Sequence, residues 1–179
     1  MFSIINSGVL GKEASYKDTY DKSLLHPISR ESSRNNIGIE HNLQLPFYGF
    51  DMWNCYELSW LDMNGKPEVR ILRFFLDCRS ENIIESKSLK LYLNSFNNSK
   101  FSDVTELQQI IESDLSAAAQ YPVIVQLLQL QQFDQAPLSL FDAQLIDHLP
   151  VQIAHYRPDA KLLRASKGEN VREKLYRSE

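Results

Sequence analysis

Asn64-Gly65 stands between two apolar runs, and that placement constrains the chain more than any other feature. Residues 52–61 alternate, with Tyr56, Leu58 and Trp60 on one side and Cys55, Glu57, Ser59 and Leu61 on the other, which is the period of a strand. Residues 69–78 read Val-Arg-Ile-Leu-Arg-Phe-Phe-Leu-Asp-Cys and supply the returning strand. Asn-Gly accommodates the positive φ angles of tight hairpin turns, so the spacing predicts a long antiparallel hairpin.

The stretch after it, Ile84-Glu85-Ser86-Lys87-Ser88-Leu89-Lys90-Leu91-Tyr92-Leu93-Asn94-Ser95-Phe96-Asn97, changes period. Leu89, Tyr92, Leu93 and Phe96 recur at three-four spacing and predict a helix with one apolar face. Ser86 and Ser88 are placed to cap its first turn. Free first-turn N–H groups and the positive end of the helix dipole attract anions, and Lys87 and Lys90 add to that sign. Either Glu85 or a bound anion is expected to neutralise those lysines. Asp103 with Glu106 then opens a second helix to about residue 120, with Val104, Leu107, Ile111, Leu115 and Ala118 on its stripe and Pro122 stopping it. Residues 123–133 read as a third strand, its glutamines wet or facing a partner, and 138–147 with 151–156 as a broken strand pair around Pro150. The order ββααββ is that of an α+β fold, an antiparallel sheet with two helices on one face.

Outside these elements the sequence loses its period. Residues 1–46 read as an N-terminal arm in which Tyr16, Tyr20, Leu24, Leu25 and Ile28 are spaced as anchors, so that it wraps the domain or a partner. Residues 47–156 form the folded module. Residues 157–179 thin out in apolar side chains before Val171, Leu175 and Tyr176, and read as a linker cut where a second unit begins.

A length of 179 residues is enough for one domain with its own core. A net charge of −4 and a pI near 5.6, without a basic stripe, speak against direct nucleic-acid binding. Cys55 and Cys78 lack paired or metal-ligand spacing, and His26, His41, His148 and His155 are scattered, so neither a disulfide framework nor a metal site is expected. No run approaches a membrane span, and a cytoplasmic protein is expected. The Gly-rich dinucleotide and triphosphate fingerprints, HExxH and GxSxG are all missing. Cys55, inside a strand with no neighbouring cation, reads as a structural thiol, and no catalytic role is assigned to Cys78.

Three stretches carry a family likeness. Residues 20–30, Tyr-Asp-Lys-Ser-Leu-Leu-His-Pro-Ile-Ser-Arg, and the hairpin words Leu45-Pro46-Phe47-Tyr48-Gly49, Trp53, Tyr56-Glu57-Leu58-Ser59-Trp60 and Gly65-Lys66-Pro67 are two of them. With the 84–97 motif, they resemble the NADPH-dependent 7-cyano-7-deazaguanine reductases of queuosine biosynthesis, in their long two-module form. Where this chain has Ser29 the family usually has Pro. The resemblance implies a tunnelling fold that assembles with copies of itself into a barrel and binds purine-like ligands between units. It implies that Ile84, Glu85 and Ser86 line the deazapurine site and that Ser86 and Lys87 approach NADPH. It also implies reduction of a nitrile to an amine, through a cysteine thiolate, an aspartic acid and hydrides from NADPH. In two-module members those catalytic groups lie in the second module, and residues 172–179 resemble the strand leading to the nucleophilic cysteine. The chain is therefore expected to hold no catalytic residue and to be inactive alone, its exposed third strand and tail driving oligomerisation or disorder. Other readings are a purine- or pterin-binding enzyme on the same fold, such as a cyclohydrolase-like protein, and a non-catalytic assembly module.

Overall fold

The computed structural model describes residues 17, 19–39, 44–131, 147–157, 159 and 162. The chain divides into two units, 1–139 and 140–179. In the first, β1 (Pro27–Ser29) and α1 (Arg30–Asn35) precede the hairpin of β2 (Phe50–Leu61) and β3 (Pro67–Asp77). After it come β4 (Asn82–Ile84), α2 (Ser86–Asn94), α3 (Val104–Ala119) and β5 (Val123–Leu128). β2, β3 and β5 make one antiparallel sheet in that order, and β1 pairs antiparallel with β4 in a second.

The expected hairpin is present, with its turn organised by Asp62 as well as by the Asn-Gly pair. One Asp62 carboxylate oxygen accepts the N–H groups of Asn64 and Lys66, each at 2.8 Å. Gly65, at φ +86°, takes the left-handed position that a side chain would strain. Further down, the register slips between Cys55 and Leu58. This bulge changes which residues share a face: Leu58 and Trp60 are buried, Trp53 and Cys55 pack on the same core, and Tyr56 is 56% exposed. Simple alternation had grouped Tyr56 with Leu58 and Trp60, and the extra residue of the bulge overturns that grouping.

The helices bury the faces their spacing predicts. Leu89, Tyr92, Leu93 and Phe96 from α2 and its exit, and Leu107, Ile111 and Leu115 from α3, pack on Leu58, Trp60, Leu72, Phe74, Leu76, Val123 and Val125 of the sheet. Asp103 caps α3 by accepting the Glu106 N–H at 2.9 Å. Gln120, in the left-handed conformation at φ 52°, ends it before Pro122.

The described part of the arm lies on this core. Tyr20, Leu24 and Leu25 pack against it, and the Tyr20 ring sits 4.9 Å from that of Phe96. The Tyr20 and Tyr92 hydroxyls both donate to one oxygen of Asp114 on α3, at 2.6 and 2.8 Å. Ser99 Oγ accepts the Tyr20 N–H at 2.8 Å, and Ser95 Oγ accepts that of Asp21 at 3.2 Å.

Two elements differ from expectation. β5 ends at Leu128, with Leu130 and Gln131 already helical. Residues 151–156 form no strand: Pro150 offers no N–H to a ladder, and every side chain from 149 to 156 is exposed. The expected strand at 138–147 falls, apart from a turn at Asp147, outside the described residues.

The outer edge of β5 is covered from within. Val123 N–H donates to Ser116 Oγ at 3.0 Å, Val125 N–H to Glu112 at 3.2 Å, and Gln108 Nε2 donates to the Val125 carbonyl at 3.0 Å. Gln108, Glu112 and Ser116 stand at i, i+4 and i+8, a single row along α3. An approaching strand would have to displace them. Replacing Gln108 and Glu112 together by Ala is expected to cost about 1–3 kcal/mol and to raise aggregation on heating. Chemical denaturation and light scattering check this.

The turn that follows β3 is tied by charge. Arg79 grips Asp77 with Nε at 2.9 Å and a terminal nitrogen at 2.7 Å. Those hydrogen bonds hold the Asp77 carboxyl at a pKa of about 2, below its ordinary 3.8. A depressed carboxyl stabilises the fold above its ordinary pKa and loses that contribution as pH falls towards 2. Acid titration of stability should therefore show a decline between roughly pH 4 and 2 that Arg79→Met flattens.

Candidate functional site

The expected site residues lie where β4 hands over to α2. β4 is short and is held on both sides. Its register against the arm pairs Ser29 with Asn82, Ile28 with Ile83 and Pro27 with Ile84, and Asn82 Nδ2 donates to the Ala118 carbonyl of α3 at 3.0 Å. Arg30 anchors the approach: its N–H donates to the Glu81 carbonyl at 3.0 Å, its Nε to Ser80 Oγ at 2.9 Å, and a terminal nitrogen to Asp51 at 2.5 Å.

Ile84 is buried in the core, and the chain turns helical directly after Glu85. Glu85 is only 8% exposed and is the cap of α2. One of its oxygens accepts the Lys87 N–H at 3.0 Å, the other the Ser88 N–H at 2.7 Å. This corrects the assignment of the cap to Ser86 and Ser88. A glutamate at the cap reaches two first-turn donors at once, and its charge complements the helix dipole. Of the two anions expected at this helix start, Glu85 is the one that the Lys87 and Ser88 amides hold.

Ser88 has a different task. Its fully buried hydroxyl donates to the Glu85 carbonyl at 2.7 Å and accepts the His26 N–H at 3.0 Å. The Glu85 N–H in turn donates to the His26 carbonyl at 3.0 Å. Ser86 and Lys87 are half-buried.

Ile84, Glu85, Ser86 and Lys87 thus share one short turn. A carboxylate has about four acceptor positions, so Glu85, with two of them engaged by backbone, keeps capacity for N–H donors of a ligand. Ser86 adds a hydroxyl and Lys87 a cationic side chain, both suited to polar or anionic groups. Sequence reasoning missed the contacts of residues 26, 30 and 80 here and gave Ser88 the wrong role. A strand as short as β1 or β4 shows no period, and their pairing spans more than fifty positions of chain. Neither Cys55 nor Cys78 is part of a disulfide, and both are half-buried. Among the described residues no helix is long and apolar enough to cross a membrane, and no three His, Cys, Asp or Glu side chains are grouped to hold a metal ion.

Known proteins are similar to this chain in sequence. NADPH-dependent 7-cyano-7-deazaguanine reductase of Paracidovorax citrulli is 44% identical over 166 residues, covering 89% of this chain and 58% of the relative. The protein of the same name from a Polaromonas species is 46% identical over 154 residues, covering 86% and 55%. That from Dechloromonas aromatica is 45% identical over 167 residues, covering 93% and 59%. The chain thus spans less than two thirds of the length of each of these relatives. Residues 16–127, which contain the arm contacts, the hairpin, the β4–α2 turn and β5 to Leu127, match the family described as nitrile reductase, 7-cyano-7-deazaguanine-reductase N-term. With its antiparallel sheet backed by two helices, the chain belongs to that family and has its tunnelling fold.

Proposed function

We propose that this chain is the N-terminal module of an NADPH-dependent nitrile reductase that converts 7-cyano-7-deazaguanine to 7-aminomethyl-7-deazaguanine in queuosine biosynthesis. In this reading residues 1–46 are the arm, 47–156 the module and 157–179 a linker to a second module that carries the catalytic cysteine and aspartate. The isolated chain is inactive, assembly with further copies completes the ligand site, and the setting is cytoplasmic. Support for assembly comes from the sheet face turned away from the helices, where Phe50, Met52 and Ile124 are 64%, 47% and 62% exposed beside Phe75.

The observation that carries the reading is the Glu85 turn. A deazaguanine presents N–H donors along one edge, and a carboxylate fixed by two backbone amides is a pre-oriented acceptor for them. Ile84 backs this turn from the core and Ser86 offers a hydroxyl beside Glu85. NADPH would supply hydride to the nitrile carbon when bound. Ser86 and Lys87 fit it through their side-chain donors, because Glu85 occupies the Lys87 and Ser88 amides. Calorimetric titration of the full-length protein with the deazaguanine nitrile tests the site. Saturable binding weakened by Glu85→Gln supports it, and equal binding by both proteins would count against it.

A further inference from the structure

We infer that Ser88 is a positioning residue of the nitrile site, coupling the N-terminal arm to the Glu85 carboxylate; the inference rests on the function proposed above. Glu85 is held from three directions. Its own carboxylate takes the Lys87 and Ser88 amides. Its N–H is paired with the His26 carbonyl of the arm. Its carbonyl receives the Ser88 hydroxyl.

Ser88 joins these restraints. Its amide touches the Glu85 side chain, its hydroxyl touches the Glu85 backbone, and the same oxygen accepts the His26 N–H. The hydroxyl is fully buried, so water cannot replace it, and its loss leaves the His26 N–H without that acceptor. The arm therefore reaches Glu85 by two routes, directly through the His26 carbonyl and indirectly through the Ser88 hydroxyl oxygen. Pro27, paired with Ile84, adds rigidity next to that contact, since its φ is fixed by its ring. Buried hydroxyls often serve stability alone, so the test must separate position from stability.

The experiment uses the full-length protein with Ser88→Ala, Ser88→Cys and Tyr20→Phe. The cysteine variant enlarges the side chain only slightly while weakening both hydrogen bonds. Tyr20→Phe loosens the same arm at its contact with Asp114, away from Glu85. Both Ser88 variants are expected to raise the KM for the nitrile about tenfold, with kcat and the NADPH KM within about twofold of the parent. Tyr20→Phe should lower Tm without moving the nitrile KM. An unchanged nitrile KM in both Ser88 variants, or an equal rise in Tyr20→Phe, overturns the inference.

Hydrogen exchange at the Lys87 and Ser88 amides provides a readout independent of turnover. The Ser88 variants should exchange there about ten times faster, with the Tyr92 and Leu93 amides unchanged. If the parent protein does not reduce the nitrile, the proposed function fails. Exchange then decides the coupling by itself: local acceleration upholds it, and none refutes it.

Discussion

Asp114→Ala is expected to destabilise the folded unit by about 2–5 kcal/mol, because it removes the shared acceptor of two tyrosine hydroxyls. Tyr92 is fully buried, so its hydroxyl has no water to turn to, while that of Tyr20 is half-buried. The same variant releases the arm, since the Tyr20 hydroxyl is one of its polar ties to the helices. Tyr20→Phe should cost only about 1 kcal/mol, because Asp114 keeps its bond from Tyr92. Urea denaturation monitored by circular dichroism distinguishes the two. Equal losses would mean that the carboxylate is not shared as described.

The cluster also fixes an alkaline limit. Burial first, and the charge of Asp114 next, push the Tyr92 hydroxyl well above its ordinary value of 10.0. Its neutral form is the one that fits. Above about pH 10 the unfolded chain releases this proton while the folded chain retains it, so stability falls as pH rises. Tyr92 contributes a slope of about 1.4 kcal/mol per pH unit there. Tyr20, more exposed to water, contributes less. Tyr92→Phe should flatten the slope although it lowers stability at pH 7.

Glu85→Gln is the second large expected effect. The amide keeps one oxygen as an acceptor but turns an NH₂ group towards the first-turn amides, setting donor against donor. Loss of the cap should cost about 1 kcal/mol of stability. Loss of the charged acceptor should lower kcat/KM for the nitrile by roughly ten- to a hundredfold in the full-length enzyme, the scale of hydrogen bonds to charged groups. The KM for NADPH should stay within about twofold, because the proposed cofactor contacts are Ser86 and Lys87. Steady-state kinetics with each substrate varied in turn checks both halves. A variant impaired only towards NADPH would move Glu85 to the other subsite.

The parts of the fold legible in the sequence are those whose period runs long enough to be unambiguous. Leu89, Tyr92, Leu93 and Phe96 had to share a helical face, and Leu107, Ile111 and Leu115 another, because no other backbone puts those spacings together. The hairpin followed from Asn64-Gly65 between two apolar runs. Three kinds of feature were not legible. The bulge at Cys55 to Leu58 inverts alternation without leaving a mark in composition, so Tyr56 was assigned to the wrong face. The Asp114 cluster joins residues distant in sequence, and the edge cover of β5 depends on how α3 folds back over the strand, which no local spacing shows. At the site, the motif located the turn, but the cap fell to Glu85 instead of its serine neighbours. Side-chain length decided this: a glutamate one position before the helix spans both amides, and Ser88 is too far into the helix to do so.

The alternatives make different predictions for the same residues. A non-catalytic assembly module would be indifferent to Glu85→Gln and Lys87→Met. A purine- or pterin-processing enzyme on the same fold would bind the deazaguanine without oxidising NADPH. The most direct measurement is NADPH oxidation with 7-cyano-7-deazaguanine, run in parallel on the full-length protein and on this chain, with the amine product quantified. The account predicts two NADPH consumed per amine formed by the full-length protein, as a four-electron reduction requires, and no turnover by this chain alone. Turnover by this chain alone would place the nucleophile within it and return Cys55 and Cys78 to consideration. No NADPH oxidation by the full-length protein would contradict the reductase assignment itself.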